Sequence, residues 1–217
     1  MIKKPYLLLL SAYFYGCQQE APAGLKTESY QSAKNVAAHD SLRLQQLLRY
    51  YPEARLPLKL STEVAAKDTS IMSPLPGEKL VPDSLTRLLG IGANSAGNDV
   101  FAVSKLLLSK ERVGLFTRVP GEYDPSKIKL SIVNTRTGQI DADFEVAETY
   151  GDAGVSYVRT TDVIRTPEGS LQLLVNQANC WPLDEELSNI KCVDSSFIYK
   201  FGNSDLRLMN KKKLKEY

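Results

Sequence analysis

Residues 128–146 read IKLSIVNTRTGQIDADFEV, and their pattern decides the fold. Ile128, Leu130 and Ile132 fall on one side of an extended chain, with Lys129, Ser131 and Val133 on the other. A period of two marks a strand with one face turned inward. Thr135, Arg136, Thr137 and Gly138 interrupt the run with turn residues, and an extended run resumes from Gln139 to Val146. Two such runs about a short turn form a hairpin.

Similar runs lie on both sides. Val100 to Leu108 and Arg112 to Val119 are β-rich and joined through Ser109, Lys110 and Glu111. Ser156 to Ile164, Leu171 to Asn176 and Ser195 to Phe201 follow, with a turn at Thr166-Pro167-Glu168-Gly169. About seven short, turn-linked strands predict an antiparallel sheet, as a curved sheet, a sandwich or a partial barrel. A propeller needs at least about four blades, more than this chain can supply.

Upstream, residues 28–51 have helical spacing. Tyr30, Ala33, Val36 and Ala37 form one stripe, and Leu44, Leu47, Leu48 and Tyr51 another. A break is expected near His39-Asp40, with Asp40 or Ser41 capping the second segment and Pro52 ending it. Residues 52–99 are irregular and proline-rich, with a short strand at Leu56 to Leu60 and a short helix at Pro82 to Leu89. The expected class is α+β, mainly antiparallel β, with the N-terminal helix packed on the sheet. Residues 28–209 form one globular domain, helical over 28–51 and β-rich over 100–201. Residues 210–217 (NKKKLKEY) are a basic tail, expected to be a frayed, solvated end.

The chain has 217 residues, 43% hydrophobic and 24% charged, an ordinary globular composition that excludes a disordered or polytopic membrane chain. The formal charge is +2, too small to imply nucleic acid as a partner. Lys3 and Lys4 carry that excess; residues 17–217 hold 25 basic and 25 acidic side chains.

Residues 1–17 read MIKKPYLLLLSAYFYGC. Two lysines precede a run of about ten apolar or small residues, half of the roughly twenty that a spanning helix needs, as in a secretory signal. Gly16-Cys17 at the end of this run resembles the lipobox of bacterial lipoproteins, although Phe14 and Tyr15 stand where that family usually has Leu and a small residue. Gln18, Gln19 and Glu20 are similar to the polar stretch after the lipid cysteine in Bacteroidota surface lipoproteins. The resemblance implies a signal peptide over residues 1–16, cleavage by signal peptidase II, a lipidated Cys17 with a tether through residue 27, and an outer-membrane, lipid-anchored location. Several acyl chains on one cysteine give stable attachment. A rival cut of the signal peptidase I type exists at Ala21-Pro22-Ala23 and would release a soluble exported protein.

With Cys17 lipidated, Cys180 and Cys192 remain as an even pair. An oxidising compartment allows their disulfide; the other reading is two separate thiols. One histidine and no C-x-x-C pair leave no zinc set, and His39 is expected at the surface or in a helix cap. Gly90-Ile91-Gly92-Ala93-Asn94-Ser95-Ala96-Gly97 lacks the strand-loop-helix context of a phosphate site and reads as an entry loop. No nucleophile elbow, P-loop or EF-hand loop is present.

Asp141, Asp143 and Glu145 share one face of a strand, followed by Glu148 and Asp152. The row suits a hard cation such as Ca²⁺, or a solvated face that blocks edge pairing, and the second is expected. Tyr150 and Tyr157 flank a segment of two glycines and Asp152 that is a candidate binding loop or simply a turn needing positive φ. Trp181, the one tryptophan, is a candidate contact residue, with packing over one end of the sheet the expected role. No cofactor and no catalytic set are expected. The leading expectation is a non-enzymatic binding or structural module of the cell envelope, attached to the membrane through its lipid, with its protein or glycan partner unspecified. The rival is an envelope hydrolase using Asp141, Asp143 and Asp152.

Intact mass of membrane-extracted protein is expected to give a chain beginning at Cys17 with added acyl mass, gaining two protons on reduction. A chain beginning at Gly24 without lipid would exclude the anchor.

Overall fold

Strand β4 (Arg112–Val119) is buried along almost its whole length. Val113, Leu115 and Val119 enter one hydrophobic core, and Phe116 enters a second. Consecutive strand residues point to opposite faces, so β4 is an interior strand with cover on both sides. A computed structural model of the chain describes residues 42–62, 75–91, 99–120, 127–152 and 154–217. The expected signal segment, Cys17, the expected tether, His39, the part of the expected helix before residue 42 and most of the Gly90–Gly97 stretch lie outside the described residues.

The strands are β1 (Leu58–Leu60), β2 (Lys79–Leu80), β3 (Phe101–Ser109), β4, β5 (Lys127–Asn134), β6 (Ile140–Asp152), β7 (Val155–Arg165), β8 (Leu171–Pro182), β9 (Ile190–Phe201) and β10 (Leu206–Glu216). They form one mostly antiparallel ten-stranded sheet in the order β10-β9-β8-β7-β6-β5-β4-β3-β2, with β1 paired to β7. From β2 onward, neighbours in sequence are neighbours in space, as short turns require. At the turn between β5 and β6, Gly138 has φ 75° and donates its N–H to the Asn134 carbonyl at 2.8 Å, a conformation that a side chain disfavours.

Residues 42–48 form helix α1, which covers one face of β3–β5. Leu44, Leu47 and the following Tyr51 pack with Val113, Leu115 and Val133, and the Tyr51 hydroxyl meets Thr117 Oγ1 at 2.6 Å. Lys105 of β3 donates to the Leu48 carbonyl at 3.0 Å, serving an orphan acceptor near the helix end. Helix α2 (Asp83–Thr86) and a 3₁₀ turn (Arg87–Leu89) add Leu85 and Leu89 to the same core. Gly90, in the left-handed region at φ 68°, ends that turn. No described helix is long and apolar enough to cross a membrane.

The second core lies where the sheet forks. Residues 155–159 of β7 pair with β6, but Thr161–Val163 pair with β1. From Ile140 to Glu148 β6 pairs with β5. Core residues come from both branches: Leu106, Phe116, Leu130 and Val146 from β3–β6, and Leu60, Val163, Leu173 and Val175 from β1, β7 and β8. Residues 52–54 hold the edge of β3, with Lys105 exchanging hydrogen bonds with Pro52 and Ala54, before the chain crosses to β1.

All seven expected strands are present, as is the short strand expected within Leu56 to Leu60 (β1), together with β2 and β10, so the count of about seven is too low. The tail over residues 210–217 is corrected from a frayed end to part of β10, paired with β9 from Leu206↔Phe201 to Glu216↔Val193. It is solvent-exposed, as expected. Both its faces meet water, so it carries no apolar alternation by which to be recognised. β8 and β9 also run further than their apolar runs, to Pro182 and from Ile190. Cys180 and Cys192 face each other across these strands and form the expected disulfide. In the chain-entropy picture so short a loop contributes up to about 3 kcal/mol.

Arg118 of β4 is fully buried. Its Nε and Nη2 donate to the Glu78 carboxylate at 3.0 and 2.7 Å, and its guanidinium lies 4.4 Å from the Phe101 ring centroid. Glu78 also accepts from the Leu75 N–H at 2.8 Å. Glu78→Ala removes the described carboxylate from a buried cation, and a loss of about 3–5 kcal/mol is expected, read as a fall in the urea midpoint. Replacing both residues by apolar ones of similar size is expected to cost much less.

Candidate functional site

Where β6 separates from β7, it leaves a cleft of about 350 Å³. One wall is Asp143, Phe144, Glu145 and Val146 of β6, and the other is Leu173, Val175 and Gln177 of β8 with Phe197 and Tyr199 of β9 and Leu206 of β10. Arg159 of β7 stands at the fork. The Phe197 and Tyr199 rings lie side by side, 6.4 Å apart and 24° from parallel, because alternate residues of a strand share a face.

The fork is held by side chains. Separation deprives β6 of backbone donors, and buried carbonyls must find others. Arg159 Nη1 donates to the Glu145 carbonyl at 3.1 Å, and the Thr161 hydroxyl donates to the Val146 carbonyl. Arg159 also reaches the Glu145 carboxylate at 3.2 Å and Gln177 Oε1 at 3.3 Å.

A register shift sits in β6 at the same place, since Ile128 pairs with Ala147 while Lys129 pairs with Glu145. The extra residue, Val146, makes a bulge. It brings Glu145 and Glu148 close enough for a side-chain hydrogen bond. Partial burial and the neighbouring Glu145 carboxylate push the Glu148 carboxyl up to about 7, against the opposing pull of Lys127 and Arg159. Burial likewise pushes the Tyr157 hydroxyl up to about 12.

The acidic row is neutralised across strands. Asp141 pairs with Arg112 at 2.6 Å, Asp143 with Lys129 at 3.1 Å and Glu145 with Lys127 at 3.3 Å. Asp143 also accepts from Ser131 at 2.9 Å. These carboxylates therefore form a ladder of ion pairs within the sheet rather than a bare face that guards an edge. No cluster of three metal-ligating side chains occurs among the described residues.

Of the candidate binding loop, Tyr150 and Tyr157 come together as a cross-strand pair, with rings stacked at 5.2 Å. They belong to β6 and β7, as does the backbone of Asp152 to β6; the connection is only a tight turn whose Gly154 has φ 81°. Trp181, in β8, is half-buried, with Lys191 Nζ 6.0 Å from its ring. The carboxylates of the hydrolase alternative are not assembled. Asp152 ends β6 nine residues beyond Asp143, about 30 Å along the strand.

Arg159, Gln177, Phe197 and Tyr199 carry no motif. They line one cleft only because two hairpins, β7–β8 and β8–β9, place them on one face. The alternation of β7 and β8 was a usable signal, since Arg159, Thr161 and Val163 share a side, as do Leu173, Val175 and Gln177.

Glu148 binds its proton more tightly in the folded protein than the ordinary carboxyl does. Its stabilising share is thus complete below about pH 4.5 and is lost as pH rises toward about 7. Glu148→Gln is expected to flatten the decline in urea midpoint between those values, with an unchanged slope in the variant counting against the shared proton. No protein-family model, curated protein or solved structure matches this chain, so what the cleft can do follows from its own residues.

Proposed function

We propose that the protein is a lipid-anchored module of the bacterial cell envelope, and that the cleft between β6 and β8–β10 holds a small, uncharged, largely apolar ligand. Support for the anchor is the basic, apolar and Gly16-Cys17 sequence at the N-terminus. The Cys180–Cys192 disulfide fits an oxidising compartment.

One observation carries the ligand class. The charged side chains on the cleft wall already neutralise one another or nearby lysines: Asp143 with Lys129, and Glu145 with Lys127 and Arg159. A charged ligand would enter without a free counter-ion, and burying an unpaired charge is costly. An apolar body meets Phe144, Leu173, Val175, Phe197 and Leu206, while Gln177 and the Tyr199 hydroxyl serve a neutral polar group. Pockets of this kind, apolar with a few placed polar groups, are the usual form of small-ligand sites.

A hydrolase acting through carboxylates is the alternative, favoured by the raised proton affinity of Glu148 beside the cleft. Its geometry is unfavourable. Glu145 and Glu148 are in hydrogen-bond contact, whereas glycosidase pairs stand roughly 5–9.5 Å apart.

The test is a thermal-shift series with alkyl glucosides and monoacylglycerols against fatty acids and alkylammonium ions of matching chain length. Uncharged members are expected to raise Tm with concentration, as mass action requires, and Gln177→Trp, which fills the cleft mouth, is expected to abolish that rise. A rise confined to charged members, or one unchanged in the variant, would overturn the ligand class.

A further inference from the structure

We propose that the outer edge of β10 receives an acidic, extended segment of another polypeptide as an added strand. β10 is the last strand in the sheet order. β9 satisfies one of its edges, and no described strand pairs with the other. Its 11 residues span about 36 Å and present a row of unpaired N–H and C=O groups. Such an edge is a template for strand addition, in which backbone bonds supply affinity and side chains supply choice.

Charge selects the partner. Lys211, Lys212, Lys213 and Lys215 lie close together on β10. Their inner neighbours across the β9 ladder are Phe197, Ser196, Ser195 and Asp194, so three of the four lysines face no carboxylate there. Lys213 shares Glu216 with Lys191. Lys211 and Lys215 lie over the Phe197 and Tyr217 rings. Lys212 has neither an ion pair nor a ring contact among the described residues.

The fold shows how it treats a basic strand elsewhere. Lys127 and Lys129 of β5 are matched by Glu145 and Asp143 of β6. β10 carries lysines on both faces, Lys211 and Lys213 on one and Lys212 on the other, and the described residues set only Glu216 and Asp194 against its four lysines; an outside strand would supply further carboxylates. Directly opposed charges of opposite sign favour pairing and like charges oppose it. A second copy of β10 would set lysines against lysines, so the edge rejects self-pairing while admitting an acidic segment. Leu208, Met209 and Leu214, each more than half exposed, offer apolar contacts to the partner's intervening residues.

The experiment uses the full chain and three labelled nonapeptides: alternating Glu and Val, alternating Lys and Val, and the acidic peptide with two central residues replaced by Pro. Binding is followed by anisotropy, and backbone protection by hydrogen exchange. The acidic peptide is expected to bind and to slow exchange within residues 206–216, while the basic and proline-containing peptides do not. Lys211→Glu with Lys212→Glu, both exposed changes, is expected to weaken the acidic peptide about tenfold and to admit the basic one. Equal binding of the proline peptide, protection elsewhere than β10, self-association through this edge, or binding to anionic vesicles but not to the acidic peptide would each overturn the proposal.

Discussion

Two backbone carbonyls, those of Glu145 and Val146, set the terms for the rest of the molecule. β6 leaves β7 at this point, and an acceptor buried without a donor costs about 1–3 kcal/mol. The Arg159 guanidinium and the Thr161 hydroxyl replace the missing strand. Because they do, the sheet can divide: one branch carries β2–β6 and the other carries β1 and β7–β10. The division yields a core filled from two sides and a cleft whose polar end is the same Arg159 that holds the fork. The side chain that holds the fork thus also lines the cleft.

The two kinds of ion pair in this protein obey different physics. Arg118 and Glu78 are removed from water, and their desolvation is offset only because nearly every donor and acceptor is matched, including the Leu75 N–H. The pairs along β5 and β6 are half-exposed and screened, each contributing little alone. Their value lies in register. A shift of one residue would turn the lysines of β5 and the carboxylates of β6 to opposite faces, breaking the ladder at every rung.

What was legible in the sequence follows the same division. Strands β3–β9 were readable from their β-rich runs and turns; Ile128, Leu130 and Ile132 are buried as their alternation implies, but so are Ser131 and Val133 on the opposite face, which the alternation did not show. β4 is buried on both faces, and was readable through the β-rich residues Val113, Leu115, Phe116 and Val119 although Gly114, Thr117 and Arg118 interrupt them. β10 was not, since a strand with two wet faces looks like a solvated tail. Parity sufficed to suggest the Cys180–Cys192 pair. The acidic row was visible as a row, but its basic partners were not, because Arg112, Lys127 and Lys129 become neighbours only through pairing. The cleft was least legible of all. Its walls are separated by up to about sixty residues, and the bulge at Val146 that joins Glu145 to Glu148 leaves no mark in the local sequence.

The meander of adjacent hairpins lets most of the sheet assemble from contacts close along the chain, which is kinetically cheap. β1 is the exception, since Leu58 pairs with Val163, roughly a hundred residues later. During synthesis the segment that seals the fork therefore emerges well before the strand that receives it. An early element must wait, with Leu56, Leu58 and Leu60 uncovered, for a late one. The vulnerable interval for aggregation or proteolysis is the time the chain takes to extend from β1 to the end of β7, and a holding factor that masks this apolar stretch would act there.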